Sequence, residues 1–128
     1  MWRPFYIAAA FALLGGCALV EESEPPIDPH GYDQQGVASY YGARHQGKRT
    51  ASGERFDPNA LTAAHRRLPF GSKVLVTNLS NQHSVVVRIN DRGPHTRGRL
   101  IDVSRAAAEQ LGMTASGMAR VRVQDLDD

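Results

Sequence analysis

Between positions 36 and 124 the chain is built from short apolar runs separated by turn residues, a pattern that predicts strands rather than long helices. Runs at 37–41, 73–78, 84–90, 100–103 and 119–123 are rich in Val, Ile, Leu and Tyr, and the residues between them are rich in Gly, Pro, Asn and Asp. The runs at 73–78 and 84–90 predict a hairpin around 79–83. The last run alternates apolar with polar positions, whereas the middle runs are almost continuously apolar, which predicts strands buried on both faces. One helix stands out at 105–111, with Ser104 as its N-cap and Gly112 as the residue that ends it. A second short helix or turn is expected at Asp57-Pro58-Asn59-Ala60. The expected fold is mainly β, a small barrel of about five or six strands with one or two short helices, because closure removes the sheet edges that so small a sheet would expose.

The first third reads differently. Residues 1–16 carry one early cation, Arg3, and then an apolar run of signal-peptide length, too short to span a membrane. That run ends in Leu14-Gly15-Gly16-Cys17, which resembles the lipobox of bacterial lipoproteins, so Cys17 is expected to be the acylated first residue after processing. Ala18 follows, where Asp is often the signal for inner-membrane retention, and the expected location is the outer membrane, facing the periplasm. Residues 17–35 are acidic and proline-rich without an apolar period and predict a flexible tether; residues 125–128 predict a short tail.

Charge narrows the class of partner. The 128 residues hold 15 Lys+Arg against 13 Asp+Glu, and loss of Arg3 with the leader leaves 14 basic residues against 13 acidic ones. Such balance lacks the basic excess of a nucleic-acid surface, and no nucleic-acid partner is expected. A lone Cys excludes an internal disulfide and a Cys-based metal site, and the five His residues lack metal-motif spacing, so neither a metal nor a cofactor is expected. No Gly-x-Ser-x-Gly elbow occurs.

Three stretches join turn residues to ionisable ones: 50–56 with Glu54, 62–66 with His65, and 90–94 with Asp91. Asp91 follows an apolar strand and precedes Gly93-Pro94, which places it at the end of the sheet, where barrels bind ligands. An Asx-turn or an ion pair with Arg92 would explain it equally well. Tyr40 and Tyr41 offer a stacking surface for a sugar ring, one of them facing the core because neighbouring strand residues point to opposite sides.

Taken in order, Gly36-Val37-Ala38-Ser39-Tyr40-Tyr41-Gly42, Thr50-Ala51-Ser52-Gly53-Glu54-Arg55-Phe56, Thr62-Ala63-Ala64-His65-Arg66, Asn90-Asp91-Arg92-Gly93-Pro94 and Leu100-Ile101-Asp102-Val103-Ser104 resemble the rare lipoprotein A family. The resemblance implies a six-stranded double-psi β-barrel over 36–124 and lytic cleavage of MurNAc–GlcNAc bonds in peptidoglycan, on strands poor in peptide. It puts catalytic roles on Asp91, Glu54 and His65, and suggests substrate contacts at Tyr40, Tyr41, Asn90 and Arg92. Asp91 is expected to be the acid/base, unless a guanidinium from Arg88 or Arg92 sits on it, in which case Glu54 inherits the role. A glycan-binding wall-loosening module of the expansin kind is the competing expectation. Many relatives add a module that binds peptide-stripped glycan; none is expected here, so the anchor or a cell-division or wall-synthesis protein would concentrate the chain at its substrate.

Overall fold

The computed structural model describes residues 25–42 and 45–126. The expected leader (1–16), the acylated Cys17 and the first part of the tether lie outside them. Six strands, β1 (Asp33–Tyr40), β2 (Thr62–Ala64), β3 (Lys73–Asn78), β4 (Ser84–Asp91), β5 (Arg99–Val103) and β6 (Met118–Asp125), close into a barrel in the order β1-β5-β2-β4-β3-β6. Two pairs are parallel, β1 with β5 and β2 with β4, and the remaining pairs are antiparallel. This is a double-psi β-barrel.

Period-two alternation fills its interior. Val74 and Val76, Val85, Val87 and Ile89, Ile101 and Val103, and Val121 and Val123 all point inward and are buried. Each such side chain removed from water stabilises the fold by roughly 1.5–3 kcal/mol. The helix α1 (Arg105–Leu111) adds Ala107, Ala108 and Leu111 to the same core. Its ends are as the sequence predicts: the Ser104 hydroxyl accepts from Ala107 N, and Gly112 closes the last turn at φ 68°. At Gly36, a Cβ would stand 2.8 Å from Leu100 Cβ, so glycine is what lets β1 approach β5.

Three expectations are corrected, and one alternative left open by the sequence is decided. The middle strands are not buried on both faces: Val86 is 36% exposed between buried Val85 and Val87. The barrel interior takes only alternate residues of these strands, and the outward apolar residues instead meet across strands, as Leu75 does with Val86. Thr62–Ala64, read as turn and chemistry, is the short strand β2, wholly buried between β4 and β5. Too short to show a period, it is a strand because both neighbours supply ladders.

The tether ends earlier than expected. β1 begins at Asp33, pairing with β6, and the barrel's last strand runs to Asp125. Ile27 N donates to Arg67 O (2.9 Å), Asp125 N donates to Tyr32 O (2.9 Å), and both Ile27 and Tyr32 pack on the core. Finally, Asp57–Ala60 is a turn, closed by Ala60 N on Asp57 O (3.1 Å) and by Asn59 N on Asp57 Oδ1 (2.9 Å).

Candidate functional site

Asp91 is the last residue of β4, and a slip in the ladder aims it. β2 pairs Ala63 with Ile89 and then Ala64 with Asp91, so Asn90 is an extra residue on β4. Such a bulge bends its strand and redirects the next side chain, a device common beside active sites. The backbone holds the result, with His65 N donating to Asp91 O (3.1 Å). Asp91 Oδ1 accepts from Ala51 N (2.8 Å) and Arg92 N (2.9 Å), and Oδ2 accepts from the Tyr41 hydroxyl (2.6 Å). Among the described residues, these partners are all uncharged donors.

Tyr41 follows directly on β1, its N–H donating to Val103 O (3.1 Å). Its ring lies stacked on Phe56 (centroids 4.4 Å apart, 20° between planes) and edge-on to His45 (5.1 Å, 88°). Burial, reinforced by the Asp91 carboxylate, holds its hydroxyl far above the usual phenol range. Tyr40 turns the other way, as strand alternation requires, packing at the core's edge with its hydroxyl on Thr114 O (3.1 Å).

Glu54 arrives on the loop after β1. Thr50 shapes that loop, its N–H (2.8 Å) and hydroxyl (2.9 Å) both donating to Glu54 O, while Gly53 takes φ 98°. Ser52 N donates to Asn90 O (3.3 Å), so one loop brings both the Glu54 carboxylate and the Ala51 N–H to the end of β4. There Arg88 forks onto Glu54, Nη1 to Oε2 at 2.8 Å and Nη2 to Oε1 at 3.1 Å. Arg88, and after it the buried side chain of Asn90, hold the Glu54 carboxyl below the usual carboxylate range, against a smaller opposing effect of burial. The sequence left open which carboxylate an arginine would claim; the guanidinium of Arg88 claims Glu54.

His65 is buried, and both ring nitrogens are engaged. Nδ1 accepts from Arg67 N (3.0 Å) and Leu68 N (3.1 Å), which puts the ring proton on Nε2, facing the Tyr32 hydroxyl at 2.7 Å. Burial first, then the fields of Arg66, Arg92 and Arg67, push its pKa down to about 4, so the ring is neutral. The ring is thus tied to the turn after β2 and to Tyr32, and what reaches Asp91 is the His65 backbone. Arg92 likewise acts through its backbone. Its guanidinium donates to His65 O (3.2 Å) and Leu68 O (2.8 Å) and lies 4.1 Å over the Phe70 ring.

Beside Tyr41 opens a cavity of about 520 Å³ lined by Tyr40, Tyr41, Phe56, Pro58, Arg105 and Glu109, among others. Mixed aromatic and polar walls suit sugar rings, which stack through their C–H faces and hydrogen-bond through their edges. Among the described residues, no His, Cys, Asp or Glu group converges as a metal site. Two parts of the arrangement escape sequence reasoning. Tyr32 lies in what reads as tether, and Asp102, which reads as part of the turn before the helix, is in β5, where it accepts from Ser39 Oγ and Arg99 Nη2. Period two alone would put Arg88 and Asn90 in one outward row with Val86, a usable signal.

Comparison with known proteins agrees with this fold. The family model described as lytic transglycolase matches residues 33–123. A protein of Nostoc sp. named "Probable endolytic peptidoglycan transglycosylase RlpA" is 62% identical over 94 residues, covering 72% of this chain and 25% of that protein. "Endolytic peptidoglycan transglycosylase RlpA" of Pasteurella multocida is 54% identical over 94 residues, 73% of this chain and 32% of the other. The chain therefore spans about a quarter to a third of the length of these relatives. Among solved structures, the Streptomyces papain inhibitor (TM-score 0.59, 23% identity, 73% of this chain and 94% of that one) shares the fold. So does apo-Clavibacter michiganensis expansin (TM-score 0.58, 19% identity, 76% and 52%).

Proposed function

Because the chain belongs to the lytic transglycolase family, we propose that it cleaves MurNAc–GlcNAc bonds of peptidoglycan without water, leaving a 1,6-anhydro end, with Asp91 as acid and then base. One observation carries the assignment of roles. Arg88 is forked onto Glu54, while the described partners of Asp91 are neutral donors. An acid must hold a proton near neutral pH, and a carboxyl pinned by a guanidinium does not. Asp91 delivers its proton to the glycosidic oxygen as the bond to the anomeric carbon breaks. It then takes the proton of the sugar's own C6 hydroxyl as that oxygen closes on the anomeric carbon, so the carboxyl ends as it began. Glu54 stays anionic and stabilises the positive charge that develops on the ring. His65 supports Asp91 from behind, its backbone bond fixing the end of β4. Tyr41, which touches Asp91 and also lines the cavity, would guide sugar rings from the carboxyl into it.

The relatives' names support peptidoglycan as substrate, and the family resemblance supports strands poor in peptide. The Leu14-Gly15-Gly16-Cys17 sequence supports a signal peptide and a lipid anchor on Cys17, with Ala18 favouring the outer membrane and a periplasmic site of work. A wall-synthesis or division protein would then be a natural neighbour. The test is digestion of purified glycan, intact and peptide-stripped, by the full chain and by Asp91→Asn, with mass analysis of the ends. Anhydro ends from the wild type alone are expected. Reducing ends would mean hydrolysis, and binding without products would leave a wall-loosening module, the reading that likeness to an expansin favours.

A further inference from the structure

The two oxygens of Asp91 are not equivalent. Oδ1 carries two backbone N–H donors, Ala51 N at 2.8 Å and Arg92 N at 2.9 Å, and these fill its in-plane lone pairs with groups that cannot accept a proton in return. Protonating Oδ1 would break one of them. Oδ2 carries, among the described residues, the Tyr41 hydroxyl at 2.6 Å and keeps its second lone pair. The phenol ring is fixed by its stack on Phe56 and the edge of His45, which holds its oxygen against Oδ2. The same tyrosine forms a wall of the sugar-sized cavity, so one side chain touches both Oδ2 and that cavity.

Resting on Asp91 as the acid/base, we propose that Tyr41 is the positioning residue of the proton transfer: its hydroxyl makes Oδ2 the oxygen that exchanges the proton with the glycan and aims that exchange toward the cavity. A stacking platform, the role expected of this residue from sequence, would need only the ring; the structure uses the ring on Phe56 and the hydroxyl on Asp91. Burial keeps the phenol from ionising, so it remains a donor over the working range. Among the described residues, the other charged or titratable groups around the pair include Arg92, whose field reaches Asp91, Asp102 across Tyr41, His45 at the ring edge, the neutral His65, the Glu54–Arg88 pair, and Arg105 and Glu109 across the cavity.

Tyr41→Phe in the full chain keeps the ring and removes the bond. On soluble glycan, kcat is expected to fall by about tenfold to a hundredfold, within the range spanned by general acid catalysis, with KM within about twofold. The high-pH limb of the profile, where the acid loses its proton, is expected to move upward, because the carboxylate has lost a donor. A carbon-detected titration of the Asp91 carboxyl should move upward with it, and that readout requires no activity. 3-Fluorotyrosine at position 41, a stronger donor of the same shape, should move both readouts down, and it serves if the Phe variant does not fold. Arg122→Gln, whose guanidinium pairs with Asp33 at the opposite end of β1, should move neither. A raised KM with the limb and the titration unmoved would make Tyr41 a sugar platform and overturn the proposal. A carboxyl titration that moves in a chain whose Asp91→Asn variant still cuts glycan would keep the Tyr41–Asp91 coupling but remove Asp91, and with it the function proposed above.

Discussion

Two carboxylates stand at the end of β4, and their surroundings differ more than their chemistry. Glu54 sits at the rim, its side chain 39% exposed, with a guanidinium forked onto it and Asn90 beside it. Asp91 sits at the bulge, gripped by two backbone N–H groups and one phenol. A cation holds the Glu54 carboxyl ionised, whereas the donors on Asp91 fix its orientation and bring no countercharge to it. One loop, 50–54, supplies both the Glu54 side chain and an N–H to Asp91, so the two environments are built together. What separates acid from anion is therefore the partner.

The largest test of this contrast compares the two isosteric amides. Asp91→Asn should cut the release of anhydro-ended products by about 10²–10⁴-fold, while Glu54→Gln, which removes a charge and no proton donor, should cost about tenfold. Equal losses would break the distinction. Next comes the strand that carries Asp91. The folded pKa of His65, about 4, is below the ordinary value of 6.5. Its neutral form thus contributes stability that is complete above about 6.5 and lost as pH falls through about 4, on the order of 3 kcal/mol. Denaturant unfolding at neutral and mildly acid pH measures this loss, and His65→Gln should flatten the difference. An unchanged slope would mean the ring is not held neutral.

Smaller effects sharpen the comparison by separating stability from chemistry. Ser104→Ala removes the helix cap at the far side of β5 and should cost about 1 kcal/mol in urea melts, with cleavage unaffected. Arg88→Gln should change stability by less than about 1 kcal/mol, because the pair is partly exposed. Its effect should show in pH instead. Glu54, no longer held below its ordinary range, should take up a proton at a higher pH, and the acidic limb of the activity profile should shift upward. A limb that stays in place would remove Glu54 from the charge-stabilising role.

Much of this molecule is legible in one dimension. The helix ends are readable because their hydrogen bonds are local, Ser104 to Ala107 and Gly112 back to the last turn. The β3–β4 hairpin is readable because its two runs flank a short turn. β2 escapes because three residues carry no period, and the start of β1 escapes because Gln34 and Gln35 are ordered by pairing with β6 rather than by burial. Glu54, His65 and Asp91 stand in recognisable blocks, but the His65 ring faces Tyr32, in a segment whose composition suggests only a tether.

Composition and periodicity by themselves determined a small β-barrel with one capped helix, and the resemblance of its motif blocks pointed to its family and to the candidate site residues. Only the tertiary structure decided which carboxylate holds the cation and which holds the phenol. Those contacts join residues 34 and 50 positions apart, and they depend on a one-residue slip between β2 and β4. Strand register is set by the whole barrel closing on its core, and a shift of one residue would turn every side chain beyond it to the other face.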